Sequence, residues 1–400
     1  MENTPKHPSN PYRNKEKLKK HIFKTLDFYY PVCLDYENGG YINGFLNNGA
    51  INDTTTKHLV ATSRYIYIFS IGALLDGPVW CQDAVRHGIQ FLNQHHRDHK
   101  HNGYYFELNG TEIKNPDKMA YGHAFVLLAS SLAYQAGIKE AKEVVDNVYH
   151  VIETHFWDED YGIYKDQWDS AWTNLSSYRG QNPNMHMCEA MLTAYEATGE
   201  DKYLRKAYRL AKGVTRKLAG RSDGWVWENY TPDWQPDYEY NKGNTKDEFR
   251  PYGFIPGHQF EWSKLLIWLS RHQTEPWMTE TAEELFQKAW KKGWDPEYAG
   301  IYFSLSPELD VIDADKNYWV ISEAIAASAL LARKTGSPVY WDYYDQLFAY
   351  SSDHLMDHEH GGWYKLLSRE NKKDSQVKSS PPKTDYHPVA ACYQSILALE

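Results

Sequence analysis

The stretch "YAGIYFSL" at residues 298–305 places aromatic and aliphatic residues directly after a glycine, and related stretches recur along the chain. This pattern predicts a glycine hinge that leads into a short hairpin or bulged strand. The other copies are "ENGGYING", "HNGYYFEL", "DYGIYKD", "DGWVWEN" and "HGGWYKLL". Their glycines are Gly40, Gly103, Gly162, Gly224, Gly300 and Gly362, with successive spacings of 63, 59, 62, 76 and 62 residues. Six copies at such spacings indicate an internal structural repeat.

Two helical patterns accompany each copy of the motif. The pattern before a glycine is amphipathic, as in residues 140–156, whereas the pattern after it is apolar almost all round, as in residues 317–332. Six outer and six inner helices predict an all-α (α/α)6 barrel, with short β-hairpins in the connecting loops and a single domain over residues 1–400. A linear helical solenoid is the alternative, but its end repeats would need polar caps that the sequence lacks. The helices are expected at about 13–31, 57–77, 79–96, 117–136, 138–155, 183–198, 201–219, 257–273, 278–293, 316–334, 338–355 and 386 to the end.

The composition argues against nucleic-acid and membrane partners. The formal net charge is -10, and no long basic cluster occurs. The first twenty residues contain no apolar segment, and the longest apolar run, near 324–332, is too short to cross a bilayer. Four scattered cysteines are expected to be reduced thiols, so we predict a soluble, cytoplasmic protein. The chain stops at Glu400 within the last predicted helix, which suggests a further segment.

One unusual polar residue stands near the start of each inner helix. These residues follow the motif glycines by 20 to 34 positions, and they are Arg64, His123, His186, His258, Glu323 and His387. Because the inner helices of such a barrel run parallel, the six side chains should converge on one pocket at its mouth. Fifteen tryptophans and 32 tyrosines would suit a surface that holds a sugar, although interior packing is the simpler use of these rings.

The expected pocket suits proton abstraction next to a carbonyl. The positive end of a helix dipole disfavours imidazolium, so His186, His258 and His387 should be neutral bases. Glu261 follows His258 by three residues, a spacing that would let it orient the ring. Arg64 could stabilise the negative charge that develops on a substrate oxygen.

Other chemistries find less support in the sequence. No G-x-G-x-x-G, Walker A or H-E-x-x-H motif occurs, and the histidine-rich segments 95–103 and 358–362 lack regular metal-ligand spacing. We therefore expect neither a cofactor nor a metal. A glycoside hydrolase with Glu323, Glu261 and Asp247 as candidate carboxylates remains an alternative, and so does a non-catalytic carbohydrate-binding protein.

The sequence resembles the N-acylglucosamine 2-epimerase superfamily over most of its length. The stretches that carry the resemblance are "TSRYIYIFS" (62–70), "YGHAFVLLA" (121–129), "RGQNPNMHMCEAMLTAYEATG" (179–199), "FRPYGFIPGHQFEWSKLL" (249–266), "YWVISEAIAA" (318–327) and "TDYHPV" (384–389). The resemblance implies that His258 and His387 are a catalytic pair. It also implies substrate contacts from Arg64, Tyr121, His123, Asn182, His186, Arg250, Trp319 and Glu323.

The expected reaction follows from the branch of the superfamily that the chain is most like. "RGQNPNMH" and "PGHQFEW" are similar to enzymes that act on free monosaccharides. We expect a cofactor-independent epimerase or isomerase that works through ring opening and a cis-enediolate. The approach to the arginine, "KHLVATSRYIY", differs from that of the mannose isomerases, so mannose 2-epimerisation is the first expectation and mannose–fructose isomerisation the alternative. The long loop 237–253 is expected to cover the sugar, with Asp247 or Arg250 in contact with it. Oligomeric state stays undecided.

Overall fold

The twelve expected helices are all present in the computed structural model, which describes residues 10–373 and 375–400. Residues 1–9, part of the expected domain and of the segment expected to lack a leader, lie outside the described residues. The helices are α1 (Lys15–Tyr29), α2 (Leu59–Leu74), α3 (Trp80–Phe91), α4 (Ala120–Gln135), α5 (Ala141–Val151), α6 (Gln181–Thr198), α7 (Asp201–Lys212), α8 (Pro256–Leu269), α9 (Pro276–Gly293), α10 (Tyr318–Thr335), α11 (Pro338–Tyr350) and α12 (Tyr386–Ala398).

Inner and outer helices differ in burial as their sequences predict. Every residue of α8 is buried, and α2, α4, α6, α10 and α12 are buried on nearly all sides. In contrast, α7 buries only one face, formed by Tyr203, Ala207, Leu210 and Ala211. In the described part of the chain, no helix is both long and apolar enough to cross a membrane.

The inner helices form a closed ring. Helix α2 packs against α4, α4 against α6, α6 against α8, α8 against α10, α10 against α12, and α12 against α2 again. The last contact joins the end of the chain to its beginning, which a linear solenoid would not do. The outer helices α1, α3, α5, α7, α9 and α11 pack against α12, α2, α4, α6, α8 and α10 respectively. The fold is therefore the expected (α/α)6 barrel.

Short strands link neighbouring repeats around the rim where the inner helices begin. They are β1 (Gly44–Leu46), β2 (Ile51–Asp53), β3 (Thr56–His58), β4 (Glu107–Asn109), β5 (Glu112–Asn115), β6 (Lys118–Met119), β7 (Trp157–Asp158), β8 (Ile163–Tyr164), β9 (Gln167–Trp168), β10 (Arg179–Gly180), β11 (Asn229–Tyr230), β12 (Ser304–Leu305), β13 (Val311–Asp313), β14 (Lys316–Asn317), β15 (Leu366–Leu367) and β16 (Val377–Ser379). Strand pairing is antiparallel between β3 and β4, β6 and β9, β10 and β11, β14 and β15, and β16 and β1. Phe254 bridges to Leu305 and supplies the remaining link, so the strands form a belt around the mouth of the barrel.

The motif glycines bend the chain into this belt. All six have a positive φ, between 65° at Gly40 and 77° at Gly300, a region that side chains with a Cβ rarely adopt. At Gly300 a Cβ would also lie 2.6 Å from Cζ of Tyr350, so no larger residue fits.

Four of the six glycine hairpins each contain a buried ion pair. The sequence patterns did not predict these pairs. In each of the four, an aspartate five residues before the motif glycine accepts backbone N–H groups of its own turn and pairs with a buried lysine that precedes the next inner helix. The pairs are Lys57 with Asp35, Lys118 with Asp98, Lys316 with Asp295, and Lys378 with Asp357. We refer to them as the hairpin clamps.

Candidate active site

One cavity of about 240 Å³ opens at the mouth of the barrel, where the inner helices begin. Nine of the twelve residues expected in the site line it, from all six inner helices and the loop that carries Asp247. These nine are Arg64, Tyr121, Asn182, His186, Asp247, His258, Glu261, Trp319 and His387. The repeat therefore brings side chains from positions far apart in the sequence to one place.

Two histidines in the cavity each hold a buried carboxylate behind the ring. His387 Nδ1 lies 2.7 Å from Oε1 of Glu323, and His258 Nδ1 lies 2.8 Å from Oε1 of Glu228. A carboxylate that accepts from Nδ1 selects the Nδ1–H tautomer, so the neutral form of each ring carries its lone pair on Nε2. Trp319 lies between the two rings, with its centroid 4.8 Å from that of His258 and 5.7 Å from that of His387. Both imidazoles therefore line the same cavity.

Glu228 corrects one expectation from the sequence. Glu261 was expected to orient His258, but the His258 ring turns towards Glu228 in the preceding hairpin motif. Glu261 instead lies 3.6 Å from Nδ1 of His186 and still lines the cavity. The spacing of three residues put the two side chains on one helical face, but it could not reveal a closer partner 30 residues away.

Arg64 supplies a fixed positive charge next to His387. Its guanidinium lies 3.4 Å from Nε2 of His387 and donates to the hydroxyl of Tyr121 at 3.2 Å and to the carbonyl of Pro382 at 3.0 Å. Arg64 is only 4% exposed, which strengthens its interaction with any charge that forms in the cavity. An oxyanion formed beside His387 would therefore be stabilised.

Burial keeps two of the cavity histidines, His186 and His387, neutral. It lowers the pKa of His186 to about 4 and that of His387 well below the usual value, and Arg64 lowers the pKa of His387 further. The sequence predicted neutral rings at these two positions, but it attributed them to the helix dipole. Desolvation is the larger cause.

A cluster of buried charges lies directly beneath the cavity. Lys264 is 2% exposed and contacts the carboxylates of Glu189, Glu261 and Glu323. Glu189 also accepts a short hydrogen bond from the hydroxyl of Tyr386. We call Lys264, Glu189, Glu261 and Glu323 the buried charge cluster. Sequence reasoning missed Lys264 and Glu189, although a lysine inside an apolar inner helix was a visible signal.

Three expected contacts lie outside the cavity. His123 is fully buried, and its two ring nitrogens bond to the backbone of Tyr104 and Met119, so neither is free for a sugar. Arg250 bonds to Asp166 and Gln167. Glu323 lies behind His387 and would act through that ring.

The long loop lies over the cavity as expected. Lys246, Asp247 and Glu248 line it, and two ion pairs tie the loop across the mouth, from Lys246 to Asp315 and from Lys365 to Glu248. The carbonyl of the next residue, Phe249, accepts a hydrogen bond from Asn182. These contacts anchor the loop to the rim in the described structure.

Two close groups of potential metal ligands occur among the described residues, and both include members of the buried charge cluster. One is His186, Glu189 and Glu261, and the other is Glu261, Glu323 and His387. The ammonium of Lys264 contacts all three carboxylates and supplies positive charge where a cation would lie, so the fit to a metal is poor. The histidine-rich segments form no such group in the part of the chain that the structure describes.

Comparison with known proteins agrees with this geometry. The model of the N-acylglucosamine 2-epimerase family matches residues 39–391. The chain belongs to this family. A D-mannose isomerase of Marinomonas mediterranea is 42% identical over 389 residues, which cover 97% of this chain and 98% of that protein. A D-mannose isomerase of Pseudomonas cannabina pv. alisalensis is 32% identical and covers 91% of this chain and 88% of that protein.

A solved structure extends the likeness to three dimensions. The crystal structure of a D-mannose isomerase superposes with a TM-score of 0.94 at 42% identity and covers 98% of this chain and 99% of that one. As a member of the N-acylglucosamine 2-epimerase family with these relatives, the chain is an isomerase or epimerase.

Proposed function

We propose that this protein converts D-mannose to D-fructose, the reaction that the sequence analysis placed second. The observation that carries the proposal is the 42% identity to a D-mannose isomerase over nearly the whole of both chains. The neutral His387 with Arg64 beside it supports the same chemistry. Free D-mannose is the proposed substrate, and no cofactor or metal takes part.

The proposed proton transfer runs on one face of the sugar. Nε2 of His387 takes the proton from C2 of open-chain mannose, and the C2–H electrons form the C1–C2 double bond of a cis-enediolate with negative charge on O1. Arg64 holds that charge. The hydroxyl proton on O2 then moves to O1, and His387 returns its proton to C1, which leaves a ketone at C2. A single base therefore both removes the proton from C2 and returns it to C1, so the reaction is balanced.

His258 is proposed to open the ring before this step. The mannose ring opens when a base takes the O1 hydroxyl proton and an acid protonates the ring oxygen. His258 has a carboxylate behind Nδ1 and a free Nε2 on the cavity side, which suits proton exchange with a sugar hydroxyl. Trp319 packs against this ring, and Trp319 and Glu261 are proposed as sugar contacts, together with Tyr121, Asn182, His186 and Asp247.

Mannose 2-epimerisation is the second candidate. One observation favours it: His258 and His387 both reach the cavity from different helices, and each has its own carboxylate. If His258 returned the proton to C2 from the opposite face, the product would be glucose. The same cavity thus supports either outcome, and product analysis separates them.

Incubation of the protein with D-mannose in deuterated water tests both candidates, with products followed by NMR. Fructose as the main product supports the proposed isomerase, with deuterium at C1 to the extent that the proton held by His387 exchanges with solvent, whereas glucose carrying deuterium at C2 supports the epimerase. The matched control is His387→Ala, which should show no exchange. If the wild-type protein exchanges no sugar proton but cleaves an oligosaccharide, a glycoside hydrolase replaces both candidates, and sugar binding without turnover points to a carbohydrate-binding protein.

A further inference from the structure

The role of Lys264 goes beyond the proposed proton transfer. This residue does not line the cavity, yet its ammonium lies 2.7 Å from Oε2 of Glu323, 3.3 Å from Oε1 of Glu189 and 3.6 Å from Oε1 of Glu261. These carboxylates come from α10, α6 and α8, and all are at most 1% exposed. A lysine at this depth is rare unless it is paired. Its position in the centre of three acids calls for an explanation other than packing.

Glu323 connects Lys264 to the proposed base. One oxygen of this carboxylate contacts the ammonium, and the other contacts Nδ1 of His387, each at 2.7 Å. Glu323 accepts the Nδ1 proton of His387 only while it is ionised. If Glu323 were protonated, it would donate to Nδ1, and the ring would carry its proton on Nε2, facing the cavity. His387 would then have no lone pair for the C2 proton.

The cluster favours protonation of its acids unless a cation opposes it. Burial raises the pKa of Glu323, and Lys264 counteracts this rise. Glu261, whose two oxygens have no hydrogen-bond partner, has its pKa raised well above the usual value by burial and by the charge on Glu323. Burial alone would lower the pKa of Lys264, but Glu189, Glu323 and Glu261 outweigh it and hold the ammonium charged.

We propose that Lys264 is a positioning residue that keeps Glu323 ionised and thereby fixes the tautomer in which Nε2 of His387 can accept the substrate proton. The inference rests on the proposed function, because it assigns the base of that reaction. Glu261, whose oxygens accept no hydrogen bond, holds the proton that the cluster keeps, because three neighbouring acids cannot all be ionised.

The groups that face Lys264 come from five helices. Their charges determine in which direction the pH dependence of activity changes when the ammonium is removed. They are Tyr67 and Arg64 on α2, His186, Cys188 and Glu189 on α6, Glu261 on α8, Glu323 on α10, and Tyr386 and His387 on α12. Loss of the ammonium raises the pKa of Glu323 and also that of His387, because both lose a neighbouring positive charge. Both effects move the acidic limb of the activity profile to higher pH.

The test compares kcat and KM of wild type and Lys264→Met across pH. We expect the acidic limb of kcat/KM to move up by about one pH unit or more, and kcat at neutral pH to fall about tenfold or more, with KM changed by less than about threefold. Lys264→Arg should recover most of the wild-type profile. Lys118→Met is the matched control, since it removes an equally buried lysine from a hairpin clamp and should lower stability without moving the limb.

A measurement on the wild-type protein keeps the inference testable if Lys264→Met does not fold. Nitrogen-15 NMR of the labelled His387 ring should show a neutral Nδ1–H tautomer at neutral pH. An Nε2–H tautomer in wild type, or an unshifted acidic limb in folded Lys264→Met, would overturn the inference. If wild type converts no mannose to fructose, the proposed function fails, whereas the tautomer measurement still decides the role of Lys264.

Discussion

His387, the proposed base, shows how its surroundings keep a single imidazole neutral at neutral pH. The ring is 4% exposed, has Glu323 behind Nδ1, and has the Arg64 guanidinium beside Nε2. Burial and the guanidinium both disfavour imidazolium, so the pKa lies well below the usual value. The carboxylate fixes the ring orientation. The same arginine that keeps this imidazole neutral is the group proposed to stabilise the enediolate charge.

Replacement of His387 by alanine should remove most of the turnover. General-base catalysis typically contributes about 10²–10⁴-fold, so kcat should fall by roughly that factor, while KM should change little because the base acts mainly in the transition state. Steady-state kinetics with D-mannose measure both constants. His123→Gln is the matched control: it changes a histidine at the equivalent helix position whose ring lies outside the cavity. Near-normal kcat in His387→Ala would exclude this ring as the base.

At the level of whole elements, the inner helices were predictable because the types of residue around each helix indicate that it is buried on nearly all sides. Helix α10 carries apolar or small residues on nearly all sides, and the glycine motif before each inner helix marks where the chain turns. Four predicted outer helices, near 79–96, 138–155, 201–219 and 338–355, end in π-helical turns at Leu92–His96, Ile152–Phe156, Gly213–Leu218 and Ser351–Leu355. Apolar spacing does not distinguish such a turn from an α-helix.

The partners of the site residues were not predictable in the same way. The repeat gave the rim position of His258, but its carboxylate partner is in a different element. Likewise Glu323 and His387 are 64 residues apart, and the packing of the neighbouring inner helices α10 and α12 brings them together. Spacing along a helix predicts which residues share a face. It carries no information about which neighbouring helix supplies a closer charge.

The hairpin clamps should contribute strongly to stability. In Lys57→Met the carboxylate of Asp35 stays buried without its cation, so we expect a loss of about 3–5 kcal/mol in the free energy of unfolding. The double variant Lys57→Met/Asp35→Leu should lose less than the sum of the single variants, because no unpaired charge remains. Chemical denaturation measures each value. Additive losses would show that the two side chains are not coupled.

The molecule as a whole combines a closed ring with an unusual number of buried neutral histidines. Burial lowers the pKa of His21, His96 and His186 to about 4 and that of His58 and His123 to about 3. Several of these rings act as structural acceptors, as His58 does when it caps α2 through Nδ1. Since residues of all twelve helices share one core, we propose that the described residues belong to the single domain expected from the sequence, and that protonation of these rings affects its global stability.

Stability should therefore fall as pH is lowered from about 6.5 towards 4. In that window the unfolded chain, with histidine pKa values near 6.5, binds more protons than the folded chain, so the free energy of unfolding decreases by on the order of 1 kcal/mol per pH unit for each such histidine. Guanidinium denaturation at pH 7, 6 and 5 measures the slope. His123→Gln should be less stable than wild type at pH 7 but show a shallower slope, because one of the rings that take up a proton on unfolding is gone. If the guanidinium concentration at the midpoint of unfolding were the same at pH 7 and pH 5, the buried rings would have to be charged in the folded state. His387, the proposed base, would then have to be charged as well.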